Sequence, residues 1–120
     1  MGSRVEEFRR RRQGQNEQLL ARASLETKRF FALDEATYRD GALDARTKEL
    51  LGLVASTVLR CDDCIAYHLV RCAELGLTDE QYREAMNVAL VVGGSITIPH
   101  LRGAEELWGE LQDEGKGGPG

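Results

Sequence analysis

Along this chain the apolar residues recur every three or four positions, and no segment alternates apolar and polar with a period of two. That pattern predicts an all-α fold of five or six helices. Val5, Phe8, Leu19, Leu20, Ala23, Phe30 and Phe31 mark one or two helices over residues 1 to about 32. Gly14 is a candidate interruption there, since glycine costs about 1 kcal/mol against alanine within a helix. Asp34 to Gly41 reads as a short helix or turn closed by a left-handed glycine, and Asp44 stands where an N-cap belongs. Leu50 to Leu59 carries no charge and is too short to cross a bilayer, so it predicts a helix buried on most sides. The next helix begins near Cys61 or Asp62, runs to about Leu75 and stops at Gly76. Thr78 and Gln81 form a capping-box signature ahead of a one-faced helix through Tyr82, Ala85, Met86, Ala89 and Leu90, which Gly93-Gly94 ends. Leu101, Ala104, Leu107, Trp108 and Leu111 define a last helix with Pro99 near its start.

These elements divide the chain into an N-terminal helical arm (residues 1–40), a helical core (41–113) and a flexible Gly/Pro-rich tail (114–120). With 120 residues and 42% hydrophobic content the chain is one domain, and only 6% of its residues are aromatic. A small core poor in bulky side chains favours further burial by self-association, so a homo-oligomer is expected. The formal net charge of −4 argues against nucleic-acid binding. The basic run Arg9 to Arg12 points to different sides of a helix among flanking glutamates and reads as a solvated face. No apolar run is long enough for a membrane span, and a cytoplasmic protein is expected.

The chemistry concentrates at Cys61-Asp62-Asp63-Cys64-Ile65-Ala66-Tyr67-His68. On a helix Cys61, Cys64, His68 and Cys72 fall within an arc of about 80°, and a three-residue spacing suits a disulfide. Zinc is disfavoured, because Cys61 and Cys72 lie roughly 16 Å apart along one helix and His100 is the sole other ligand candidate. No cofactor is expected. Cys72 reads as packing. For Cys61, Cys64 and His68 a purely structural role remains open beside a redox one. Asp62 and Asp63 should raise nearby thiol pKa values, which makes an internal base necessary. His68, one turn beyond Cys64, can be that base. Glu49 can fix its tautomer if the strip Gly52, Leu53, Ser56 lets the His68 helix approach. Cys64 would attack a peroxide oxygen and Cys61 would close the disulfide. An external dithiol would reopen it, with Cys61, nearer the helix start, the better exposed sulfur.

Glu49, eleven residues, Cys61-x-x-Cys64, three residues and His68 together resemble the signature of the AhpD-like branch of the carboxymuconolactone decarboxylase family. The likeness extends through Gly41-Ala42-Leu43-Asp44, Glu49-Leu50-Leu51, Gly76-Leu77-Thr78 and Gly93-Gly94, roughly residues 40 to 110. The resemblance implies a helical domain assembling as trimers or hexamers, with alkyl-hydroperoxidase or disulfide-reductase activity. It implies Cys64 as peroxidatic thiol, Cys61 as resolving thiol, and Glu49 and His68 as the proton relay. Its partners would be a hydroperoxide and an external dithiol reductant or reductase protein. The decarboxylase branch lacks the thiol pair. A redox partner without peroxidase activity and a non-enzymatic helical assembly module are the alternatives.

Overall fold

The computed structural model describes residues 3–116. Among these residues the chain forms six helices and no strand: α1 (Ser3–Ala21), α2 (Leu25–Thr37), α3 (Ala45–Leu59), α4 (Asp62–Glu74), α5 (Asp79–Gly93) and α6 (Ile98–Lys116), with a 3₁₀ turn at Ser95–Thr97. The predicted caps close them. Asp44 Oδ1 accepts the Thr47 N–H at 2.8 Å, and Thr78 and Gln81 complete a reciprocal capping box ahead of α5. Gly76 (φ 85°) and Gly94 (φ 82°) take the left-handed conformation after α4 and α5 that other residues adopt at a cost.

Helix α4 packs against both α3 and α6, α5 lies on α3, and α1 runs beside α6. Leu53, Leu69, Cys72 and Trp108 are essentially inaccessible at the junction, and each large apolar side chain so buried contributes about 1.5–3 kcal/mol. The Trp108 indole stacks on Tyr82 with centroids 4.6 Å apart and donates its N–H to Asp79 at 2.9 Å. That contact ties the start of α5 to α6.

Several expectations change. Helix α1 passes through Gly14 unbroken, because α1 lays Val5 and Phe8 into the core and packing outweighs the glycine cost. Through Val5 and Phe8 the α1 part of the N-terminal arm packs on its own domain. Asp34 lies within α2, and Gly41 is not left-handed. The uncharged run in α3 is buried on one side only: Leu53 is covered, whereas Leu51 is 56% and Leu59 75% exposed. Helix α2 buries none of its residues, and Phe30 and Leu33 stand 67% and 63% exposed. Helix α6 continues to Lys116, so the expected tail is helical to that point, and its last residues, 117–120, lie outside the described residues. No helix among the described residues is long and apolar enough to cross a membrane.

Candidate active site

The site is built on the α3–α4 hairpin. Arg60, with φ 63° and ψ 41°, is the one non-glycine residue with positive φ among the described residues, and this left-handed step reverses the chain within a single turn. Cys61 follows as the N-cap of α4. Its N–H donates to the Ser56 carbonyl at 3.1 Å, and its Sγ accepts the Cys64 N–H at 3.3 Å. The Cα atoms of Cys61 and Cys64 are 5.3 Å apart and their sulfurs form a disulfide. The exposure runs opposite to the expectation: Cys64 is exposed and Cys61 half-buried. The tight reversal tucks the capping residue under α3, while Cys64, one turn on, faces outward.

Glu49 of α3 and His68 of α4 meet inside the hairpin. The His68 imidazole Nδ1 lies 2.7 Å from Glu49 Oε1, with the carboxylate side chain 2% exposed. A carboxylate at Nδ1 selects the tautomer with hydrogen there, leaving Nε2 free to accept a proton. Arg71, one turn beyond His68, holds the other carboxylate oxygen through Nε at 3.6 Å and Glu74 through Nη1 at 2.6 Å. The expected close approach of the two helices occurs at Gly52. A Cβ there would sit 2.6 Å from His68 Cε1 and 2.7 Å from Nε2, so only glycine leaves room for the ring.

His68 and Cys64 line one cavity of 360 Å³ together with Phe30, Phe31, Tyr67 and Arg12. Tyr38 and Tyr67 flank the imidazole, with centroids 5.4 and 5.3 Å away. Burial, and then the charge of Glu49, push both phenols above their usual range. Cys72 is fully buried beneath the site, and burial pushes its thiol up to about 12. It is chemically inert packing.

The two aspartates between the thiols do not stand alone. Asp62 pairs with His100 Nδ1 of α6 at 2.7 Å, and Asp63 with Arg11 of α1 at 3.1 Å. The basic run is likewise more than a solvated face: Arg9 approaches Glu74 and Glu114, each at 3.5 Å, and the Arg12 guanidinium lies 4.1 Å from the centre of the Tyr67 ring. Sequence reasoning missed Tyr38, Arg11, Arg12 and Arg71 at the site and left His100 without a role. The one signal available was the spacing of Arg71 from His68, one turn along the same helix. No group of three His, Cys, Asp or Glu side chains disposed to hold a metal occurs among the described residues.

A helical domain with a Cys-x-x-Cys disulfide at a helix start, beside a buried Glu–His pair, defines a dithiol protein of the AhpD-like fold. The profile of the carboxymuconolactone decarboxylase family matches residues 26–106, and the chain belongs to that family. The match takes in most of α2, which the sequence resemblance placed outside the common core. The chain is 58% identical to TM1620 of Thermotoga maritima, a carboxymuconolactone decarboxylase family protein for which involvement in the antioxidative response has been suggested. The two structures superpose with a TM-score of 0.90 over 95% of this chain and 97% of that one. The apo form of lpg0406, a family member from Legionella pneumophila, gives a TM-score of 0.82 at 25% identity over 90% and 96% of the two chains. Uncharacterized protein 4 in the cox locus of Paracoccus denitrificans is 34% identical over 82 residues, 68% of this chain and 74% of its own.

Proposed function

We propose that the protein is a thiol-dependent peroxidase that reduces organic hydroperoxides through the Cys61–Cys64 pair. The observation that carries this reading is the placement of a Cys61–Cys64 disulfide, with Cys64 exposed, on the same cavity as the imidazole of a buried 2.7 Å Glu49–His68 pair. In the reduced protein His68 takes the Cys64 proton, with Glu49 stabilising the imidazolium. The Cys64 thiolate attacks a peroxide oxygen, the O–O bond breaks, and the alkoxide leaves as alcohol with the proton from His68. Cys64 is then a sulfenic acid. His68, neutral again, takes the Cys61 proton, the Cys61 thiolate attacks the Cys64 sulfur, the S–O bond breaks, and the departing hydroxide takes that proton back from His68 to leave as water. An external dithiol, supplied by a small molecule or a reductase protein in the cytoplasm, reopens the disulfide by exchange. The exposed Cys64 sulfur is the one open to attack, with Cys61 the leaving thiolate.

A homo-oligomer, trimer or hexamer, is part of the proposal. Its support is the apolar surface left uncovered by one chain, including Phe30, Leu59 and Val91, which are 67%, 75% and 84% exposed. The test of the activity is turnover of cumene hydroperoxide with dithiothreitol. The wild-type protein turns over and Cys64→Ser does not; undiminished turnover in that variant refutes the assignment of Cys64. The exposure of Cys64 also favours a second reading, a dithiol–disulfide reductase. That reading predicts a Cys61–Cys64 disulfide in equilibrium with the dithiol buffer and no acceleration of peroxide loss.

A further inference from the structure

The 360 Å³ cavity at Cys64 and His68 has an aromatic lining from Phe30 and Phe31 of α2 and Tyr67 of α4, and one cation, Arg12 of α1. Arg12 also borders the two neighbouring cavities, of 790 and 470 Å³, so it stands where all three meet. Arg9 and Arg11 of the same run are engaged by carboxylates on other helices. Arg12 is half-buried, lies over the Tyr67 ring at 4.1 Å and has no carboxylate within ion-pair distance among the described residues. A guanidinium with its face on an aromatic ring keeps its edge donors available, and those donors match a planar carboxylate in two parallel hydrogen bonds. Two carboxylates line the same cavity: Asp63 of α4 is paired with Arg11, and Asp34 of α2, which does not pair with Arg12, is the negative charge an anionic ligand meets without such a partner.

We infer that this cavity selects organic hydroperoxides bearing a carboxylate on an aryl or alkyl body, with Arg12 as the residue that sets the preference. The aromatic lining holds the body, Arg12 holds the carboxylate, and the hydroperoxide end is left to Cys64. This proposal rests on the peroxidase reading of Cys64.

The test compares two peroxides with the same reacting group, cumene hydroperoxide and its para-carboxylate, using the full chain and dithiothreitol. The expected wild-type kcat/KM favours the carboxylate about tenfold, the worth of one charge-assisted pair. Arg12→Gln removes that preference through KM, Arg12→Lys restores part of it, and Asp34→Asn increases it. A second measurement needs no turnover: alkylation of Cys64 by iodoacetamide in the reduced protein, with para-isopropylbenzoate or its neutral amide present. Stronger protection by the benzoate, lost in Arg12→Gln, supports the carboxylate site. Equal protection by both compounds, or a preference untouched by Arg12→Gln, overturns the proposal. Selective protection without turnover of either peroxide overturns the peroxidase reading, and with it the peroxide part of this proposal, while the carboxylate site stands.

Discussion

Gly52→Ala adds one carbon at the closest point between α3 and the site. That carbon comes 2.6 Å from His68 Cε1, 2.7 Å from Nε2 and 2.9 Å from the Tyr38 hydroxyl. Carbon contacts relax at about 3.5 Å, so the imidazole must withdraw by about 1 Å. The retreat opens the 2.7 Å contact between His68 and Glu49 and shifts Nε2 relative to Cys64. For stability, overpacking costs about 1–3 kcal/mol, and replacing glycine inside a helix returns about 1 kcal/mol, leaving a net loss of about 0–2 kcal/mol. For activity, a 1 Å misplacement of a reacting group costs about 10²-fold. The variant should therefore melt no more than about 8 °C below wild type, yet turn over peroxide about a hundredfold more slowly. Thermal unfolding and steady-state turnover measure the two quantities. Gly103→Ala serves as the control, since nothing lies within 4 Å of a Cβ at that helical position. It should gain stability and keep full activity. Turnover of Gly52→Ala within twofold of wild type refutes the reasoning, because the His68 ring would then have no need of the empty position.

Two further perturbations address the thiols and the acids beside them. Burial holds the Cys72 thiol proton up to about pH 12 against its ordinary 9.0, so between those values the unfolded chain has lost a proton that the folded one keeps. That contribution to stability is complete below about pH 9 and declines as pH rises toward 12, by at most about 1.4 kcal/mol per pH unit. Urea unfolding from pH 8 to 10.5 should show the decline in wild type and a flatter course in Cys72→Ala; equal slopes would remove the assignment. His100→Gln leaves Asp62 without its 2.7 Å histidine partner beside Cys61. Iodoacetamide labelling of the reduced thiol pair should slow about twofold, the scale of an exposed pair, and an unchanged rate would show that His100 does not moderate Asp62.

The sequence was most legible where the chemistry is local. Cys61 caps the helix that carries Cys64 and His68, so helical spacing put these three on one face, while the entry of Glu49 from the preceding helix stayed conditional on a close approach along the Gly52 strip, which the structure shows. Fold class followed from the absence of a two-residue period, and the caps at Asp44, Thr78 and Gly76 could be read from residue type alone. Helix periodicity does not say which helix lies beside which. Arg11 and Arg12 come from α1, Tyr38 follows α2 and His100 lies in α6, all placed by tertiary packing. The exposure order of the two cysteines was also hidden. It depends on the left-handed turn at Arg60, and arginine carries no signal for that conformation. The same limit applies to α3, whose uncharged run suggests burial all round while a single chain covers only one side.

The α3–α4 hairpin has a kinetic consequence. Glu49 and His68, the first and last of the four site residues, are 19 positions apart, and their helices are joined through the left-handed step at Arg60. Contacts so close along the chain require little loop-closure entropy and form early, before pairings of high sequence separation such as that of α1 with α6. The Glu49–His68 pair can therefore come together while much of the chain is still unfolded. Both thiols are then close enough to pair before the rest of the domain has closed around them.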